Sequence, residues 1–181
     1  MGRIEIILGC MFSGKSTELL RRISRYDAIN NSILLINSTK DTRTGKSIKT
    51  HNNDVKTALK LDNLMELFNK DNLESYNNAK VIGIDESQFF PDLLKFIEQS
   101  ERDDKIIIIA GLDGDSNRKP FGQILSCIPL CDTIVKLKAM DMISKDGTPA
   151  IFTKRIDNSS EQIYIGAKNK YLAVSRKNYL S

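Results

Sequence analysis

Two periods of apolar residues alternate along this chain of 181 residues. Short aliphatic runs are separated by stretches in which apolar residues recur every three or four positions. Arg3 to Leu8 (RIEIIL) reads as a buried strand that stops at Gly9. The next stretch, KSTELLRRISRYDAI, places Leu19, Leu20, Ile23 and Tyr26 at helical spacing beneath a basic outer face. Ser32 to Asn37 reads as a second strand, and the polar segment Ser38 to Asp54 as a long loop. Asp62 is placed to cap a short amphipathic helix ending at Asn69. Lys80 to Glu86 is a third strand that ends in two acids. Pro91 opens a helix whose apolar face carries Leu93, Leu94 and Ile97. Lys105 to Asp113 is continuous in isoleucine, which predicts a strand covered on both faces, and Asp132 to Leu137 is a fifth strand. Strands alternating with helices predict an α/β fold: a mainly parallel sheet with helices on both faces.

The pattern changes after about Lys138. Ala150 to Ile156 and Glu161 to Ile165 are β-type runs, and the turn-rich DNSS between them suggests a hairpin. The tail from Ala167 is polar with interleaved Tyr. This divides the chain into a main domain, residues 1–137, and a small C-terminal lobe, residues 138–181.

Composition narrows the class without deciding it. Apolar residues make up 40% and charged residues 28%, as in ordinary globular proteins. The net charge of +4 suits anionic small molecules as well as nucleic acid, and no basic or aromatic stripe supports nucleic acid. No apolar run is long enough to span a bilayer, so no membrane partner is expected. Three cysteines without framework spacing, Cys10, Cys127 and Cys131, point to a reducing, cytoplasmic setting.

The candidate chemistry starts at Gly9-Cys10-Met11-Phe12-Ser13-Gly14-Lys15-Ser16, which matches the eight-residue phosphate loop. Glycines let backbone N–H groups face phosphates, and the helix start adds its positive dipole end. Gly9, Ser13, Gly14, Lys15, Ser16 and Thr17 are therefore the candidate ATP-binding residues. Lys15 would neutralise the β- and γ-phosphates, and the Ser16 hydroxyl would ligate Mg²⁺. Asp85 and Glu86, at the end of the third strand, match the second motif of phosphate-loop nucleotidases. Asp85 would hold Mg²⁺, and Glu86 would stand nearer the reacting phosphoryl group as a base. Arg43 lies in a charged loop (KDTR) where it could clamp phosphate, although charge alone favours a solvated loop there. His51, the single histidine, reads as a surface residue. Phe89 and Phe90 read as core, with packing on a nucleobase as the other option.

Several segments together resemble the type II thymidine kinases, whose poxvirus members look closest. They are GCMFSGKSTELLRR, KDTR, THNN, VIGIDESQFFPDL, AGLDGDSNRKPFGQILSCIPL, IVKLKAM, FTKR and IGAKNKY, in order over almost the whole chain. The resemblance implies a RecA-like P-loop NTPase fold with a lasso lobe that closes over a nucleoside. It implies Mg-dependent transfer of phosphate from ATP to the 5′-hydroxyl of thymidine or deoxyuridine, with Glu86 as general base and Lys15 and Arg43 assisting. It places Met11, Leu112 and Thr153 around the thymine methyl group, and Phe89 and Phe121 around the deoxynucleoside. Asp41 joins Arg43 in the active-site loop, and Gly166 and Tyr171 belong to the lasso. It also implies feedback inhibition by dTTP and a homotetramer.

The chain departs from that family pattern in three places. Ser116 stands where the family usually has Phe, and Ala167 replaces the second Gly of the lasso. The family's structural zinc is held by two Cys-x-x-Cys pairs; here those positions are Asp141, Ser144, Ser175 and Asn178. Ser and Asn are poor zinc ligands, so no structural zinc is expected, and packing on the main domain or on another subunit must hold the lobe. The departures leave two other readings open: a nucleotide-binding regulatory or structural homologue without kinase activity, and an unrelated phosphate-loop ATPase.

Overall fold

A computed structural model describes residues 2–41, 47–49, 55–156 and 170–181. The main sheet has six strands, all parallel: β1 (Arg3–Gly9), β2 (Ile33–Ser38), β5 (Leu59–Leu61), β6 (Val81–Ile84), β7 (Ile106–Gly111) and β8 (Thr133–Leu137). Their order is β5-β2-β6-β7-β1-β8. The expected α/β architecture is therefore present, and helices cover both faces.

Alternation along the strands builds the two cores. Successive side chains of a strand point to opposite faces, so each strand feeds both layers. Ile6, Ile82, Ile84, Ile107 and Ile109 pack beneath α3 (Leu93–Ser100) and the 3-10 segments Leu64–Phe68 and Ile124–Leu130. Ile7, Val81, Ile108 and Ala110 face α1 (Lys15–Asp27), which contributes Leu19, Leu20 and Ile23. Each Ile, Leu or Val side chain contributes about 1.5–3 kcal/mol by leaving water. Helix α1 fits closely against the sheet at Gly83, where an added Cβ would lie 2.7 Å from Leu35 Cδ2 and 3.0 Å from Ile23 Cδ1.

Several local readings are corrected. The segment capped by Asp62 is a 3-10 turn, and its cap is Asn63, in a capping box with Glu66. Asp92 reaches across from the start of α3 and accepts from Leu64 N (3.0 Å) and Met65 N (2.8 Å), satisfying donors that the turn leaves open. The buried face of α3 is Leu93, Phe96 and Ile97, with Leu94 only half-buried. The stretch read as a long loop contains β3 (Ser47–Lys49), which pairs antiparallel with β4 (Val55–Thr57) just beyond it. The short helix α2 (Leu73–Asn78) was not legible in advance. Its C-terminal carbonyls are held by the buried Lys105, whose Nζ donates to Tyr76 O and Ala79 O, both at 2.8 Å.

The C-terminal segment adds two small antiparallel pairs, β9 (Ala139–Met140) with β10 (Pro149–Ala150) and β11 (Phe152–Arg155) with β12 (Tyr171–Val174), then α4 (Arg176–Leu180). Among the described residues the partner of Phe152–Arg155 is Tyr171–Val174, a segment read from sequence as polar tail. The run Glu161 to Ile165 lies outside the described residues. Ala139, Ala150 and Ala173 pack with Cys10 and Phe12, which seats this segment directly against the phosphate loop.

Candidate active site

All six parallel strands end on the same edge of the sheet, and the candidate residues follow those ends. The chain leaves β1 at Gly9 and turns into α1 at Gly14. Gly9 is required for space: an added Cβ would lie 2.5 Å from Ser13 Oγ and 2.7 Å from Leu137 O. Gly14 is required for conformation, with φ +83° and no atom near an added Cβ. The Cys10 carbonyl gathers the loop around itself, accepting from Ser13 Oγ (2.8 Å) and from Lys15 Nζ (2.7 Å). Burial lowers the Lys15 pKa, opposed by Glu86, Cys10 and Asp85. Ser16 and Thr17 lie in the first turn of α1.

Strand β7 lies between β1 and β6, so the acids at the end of β6 belong to a strand two places from the loop. They nevertheless meet it, because α1 crosses over β7. The Ser16 side chain lies near the Asp85 carboxylate, and Lys15 lies near both acids. Asp85 is buried; burial first and the charge of Glu86 second push its pKa up to about 6. A buried carboxylate and a hydroxyl close together are hard oxygen donors that fit a divalent cation such as Mg²⁺. Glu86 takes left-handed backbone angles, φ 50° and ψ 39°, a conformation that costs about 1–2 kcal/mol in a non-glycine residue. Its N–H donates to Asp85 Oδ1 (3.0 Å), and its Oε2 accepts from Gln88 Nε2 (2.6 Å).

A pH dependence follows for the protein without metal. The Asp85 pKa of about 6 lies above the ordinary carboxylate value of about 3.9, so the charged form costs stability above pH 6. That cost fades as the pH falls towards 4. Asp85→Asn should therefore be more stable than the unsubstituted protein at pH 8, by about 1–3 kcal/mol. The gap should be about half as large at pH 5 and close towards pH 4 in thermal unfolding with chelator present.

Met11 N donates to Thr153 Oγ1 (3.0 Å), joining the loop to β11, and Cys10 Sγ donates to Ala150 O (3.6 Å). Phe89 and Phe121 meet edge to face, with centroids 5.7 Å apart. Leu112, just past β7, gives its N–H to Gln88 Oε1 (3.0 Å). Asp41, buried just beyond β2, accepts from Asn37 Nδ2 (3.0 Å). Tyr171 opens β12, and its hydroxyl accepts from Arg155 Nη2 (2.6 Å). Arg43, His51 and Gly166 lie outside the described residues.

The thymidine kinase family model matches residues 2–179. The chain belongs to the thymidine kinase family. It is 45% identical to the thymidine kinase of Yaba monkey tumor virus, over 98% of this chain and 94% of that one. It is 42% identical to the vaccinia virus (strain Western Reserve) enzyme, and 41% to that of monkeypox virus. Each of these two alignments covers 99% of this chain and 97% of the relative.

Within this thymidine kinase family chain, the four positions of the family's zinc ligands come together, but the donors do not fit zinc. The Asp141 carboxylate accepts from Ser175 N (2.7 Å), Asn178 Nδ2 (2.9 Å), Ile143 N (2.8 Å) and Ser144 N (3.0 Å). Asn178 Nδ2 also donates to Ser144 Oγ (2.8 Å). These polar atoms are engaged with one another, and no thiolate is among them. Burial disfavours the Asp141 charge, but hydrogen bonds from Ser175, Ser144 and Ile143 outweigh it and hold the pKa well below the carboxylate range. Another set of contacts joins the C-terminal segment to the loop after β7. Arg118 lies over the rings of Tyr179 (4.5 Å) and Phe152 (5.5 Å), and the Tyr179 hydroxyl donates to Ser116 O (2.7 Å). Ser116 thus stands at the family's Phe position with its carbonyl serving the C-terminal helix. Sequence reasoning missed both this polar knot and Gln88.

Proposed function

We propose that the chain transfers the γ-phosphoryl group of ATP to the 5′-hydroxyl of thymidine, giving dTMP. The observation that carries this reading is the convergence of Lys15, Ser16, Asp85 and Glu86 at one sheet edge in a chain of this family. Glu86 accepts the proton of the attacking hydroxyl. Lys15 and the N–H groups at the start of α1 bind the phosphates and offset their charge. Mg²⁺ held by Ser16 and Asp85 would further neutralise the phosphate oxygens. Phe89 and Phe121 form an aromatic wall for the nucleoside, and Met11, Leu112 and Thr153 stand by the thymine methyl group. Asp41, just beyond β2, and Tyr171, at the start of β12, complete the acceptor site together with Arg43 and Gly166.

Three finer readings belong to the same proposal. Residues 138–181 act as a lobe closing over the nucleoside, dTTP binds as a feedback inhibitor, and the working form is a cytoplasmic homotetramer. The unpaired thiols Cys10, Cys127 and Cys131 suit a reducing compartment. Among the described residues no helix is long and apolar enough to cross a membrane.

Purified protein with Mg-ATP should convert thymidine to dTMP, with deoxyuridine and deoxycytidine assayed in parallel. Both thymidine and dTTP should raise the melting temperature. Absence of dTMP would remove the proposal, and stabilisation by nucleoside triphosphates without thymidine would point to an ATPase.

A further inference from the structure

Gln88 follows the two acids by two residues and is buried, yet phosphoryl transfer as set out above gives it no role. Its amide is fixed at both ends. The Leu112 N–H is a donor, so the atom facing it at 3.0 Å is the amide oxygen. The nitrogen must then face the other way, and there it meets Glu86 Oε2 at 2.6 Å. A carboxylate accepts, so the two contacts agree on one orientation.

The seat of this amide is built by close approach of two glycines. An added Cβ at Gly111, the last residue of β7, would lie 3.0 Å from Gln88 Oε1 and 2.3 Å from Ser87 Oγ. One at Gly122 would lie 2.3 Å from Gln88 O. The turn is closed by Phe89 N donating to Glu86 O (3.1 Å). The side chain of Gln88 thus links the end of β7 to a carboxylate whose own backbone is in the left-handed region.

We propose that Gln88 is a positioning residue that holds the Glu86 carboxylate in the orientation needed to take the hydroxyl proton. The proposal rests on the reading of Glu86 as general base. Gln88 itself touches neither nucleotide nor nucleoside in this scheme; it restrains one carboxylate oxygen, and Leu112 N–H restrains Gln88. Misplacing a reacting group by about 1 Å can cost on the order of 100-fold in rate.

The test is a double-mutant cycle on the full chain, with kcat and KM for thymidine and ATP measured separately. Gln88→Met removes both hydrogen bonds at similar length. Gln88→Glu keeps the acceptor for Leu112 N–H and removes the donor to Glu86. Each should lower kcat by about 10- to 100-fold and leave both KM values within about threefold. In the Glu86→Gln background, where the base is gone, the same changes should cost less than about twofold. Full multiplication of the two losses would overturn the proposal, as would unchanged kcat or a loss confined to KM. If Gln88→Met fails to fold, by melting temperature and ATP binding, the Gln88→Glu arm decides. The unsubstituted protein and the Glu86→Gln single variant report on the base separately. An active parent with an impaired Glu86→Gln and neutral Gln88 variants removes Gln88 alone, and an inactive parent removes both readings.

Discussion

Glu86→Gln should lose about 10²- to 10⁴-fold in kcat, the span typical of removing a positioned general base. The substitution keeps the shape of the side chain and removes only its basicity. KM for ATP should change little, because the proposed mechanism gives the phosphates to Lys15 and the loop and not to Glu86. The left-handed turn at Glu86 should also survive, since Gln88 Nε2 finds an amide oxygen in place of the carboxylate. Steady-state kinetics with thymidine varied, together with ATP binding by calorimetry, make the comparison. Turnover within about threefold of the unsubstituted protein would take Glu86 out of the role of base.

The largest expected loss of stability outside the two cores follows from Asp141→Ala. Asp141 accepts four hydrogen bonds, from Ile143, Ser144 and Ser175 on the backbone and from the Asn178 side chain. Alanine leaves all four donors without their acceptor, and unmet buried donors cost more than the bonds contributed. The melting temperature should fall by several degrees. Hydrogen exchange should rise first in β12 and α4, which the knot ties to the residues after β9. Added EDTA should leave the unsubstituted protein's melting temperature unchanged, because nothing in the knot depends on a metal. The pH sign is also fixed. The Asp141 carboxyl is held below its ordinary value, so its contribution is complete above about pH 4 and is lost only as pH falls through that depressed value. A knot that failed with EDTA, or a C-terminal segment indifferent to Asp141→Ala, would mean that something else holds this segment.

Much of the fold was legible because the sheet is buried on both faces. Ile106 to Ile109 admit hardly any other reading than a central strand, and Gly9 to Ser16 announce their own turn. The parts that were missed depend on groups far apart in sequence. Asp92 looks like the cap of its own helix but serves Leu64 and Met65. Tyr171–Val174 carries few signals of a strand, and its partner on β11 supplies the pairing. The four family zinc positions could be read from sequence only as missing thiolates. Their mutual hydrogen bonds require the chain to bring Asp141 to Asn178. Gln88 carries no charge and no motif signal, so its place between Glu86 and Leu112 emerges only in three dimensions.

Cys10 illustrates a consequence of the way the C-terminal segment packs on the loop after β1. A cysteine inside a loop proposed to bind nucleotide invites covalent inhibitors. Electrophiles need a thiolate within reach, and this one offers neither exposure nor ionisation: it is buried, donates to Ala150 O, and burial pushes its pKa up. The more accessible sulfur is Cys131, next to Asp132, whose N–H and carboxylate tie the start of β8 to Ile4 at the opposite edge of the sheet. Alkylating reagents therefore mark the far end of the molecule, and a compound aimed at this loop must hold on by shape and charge.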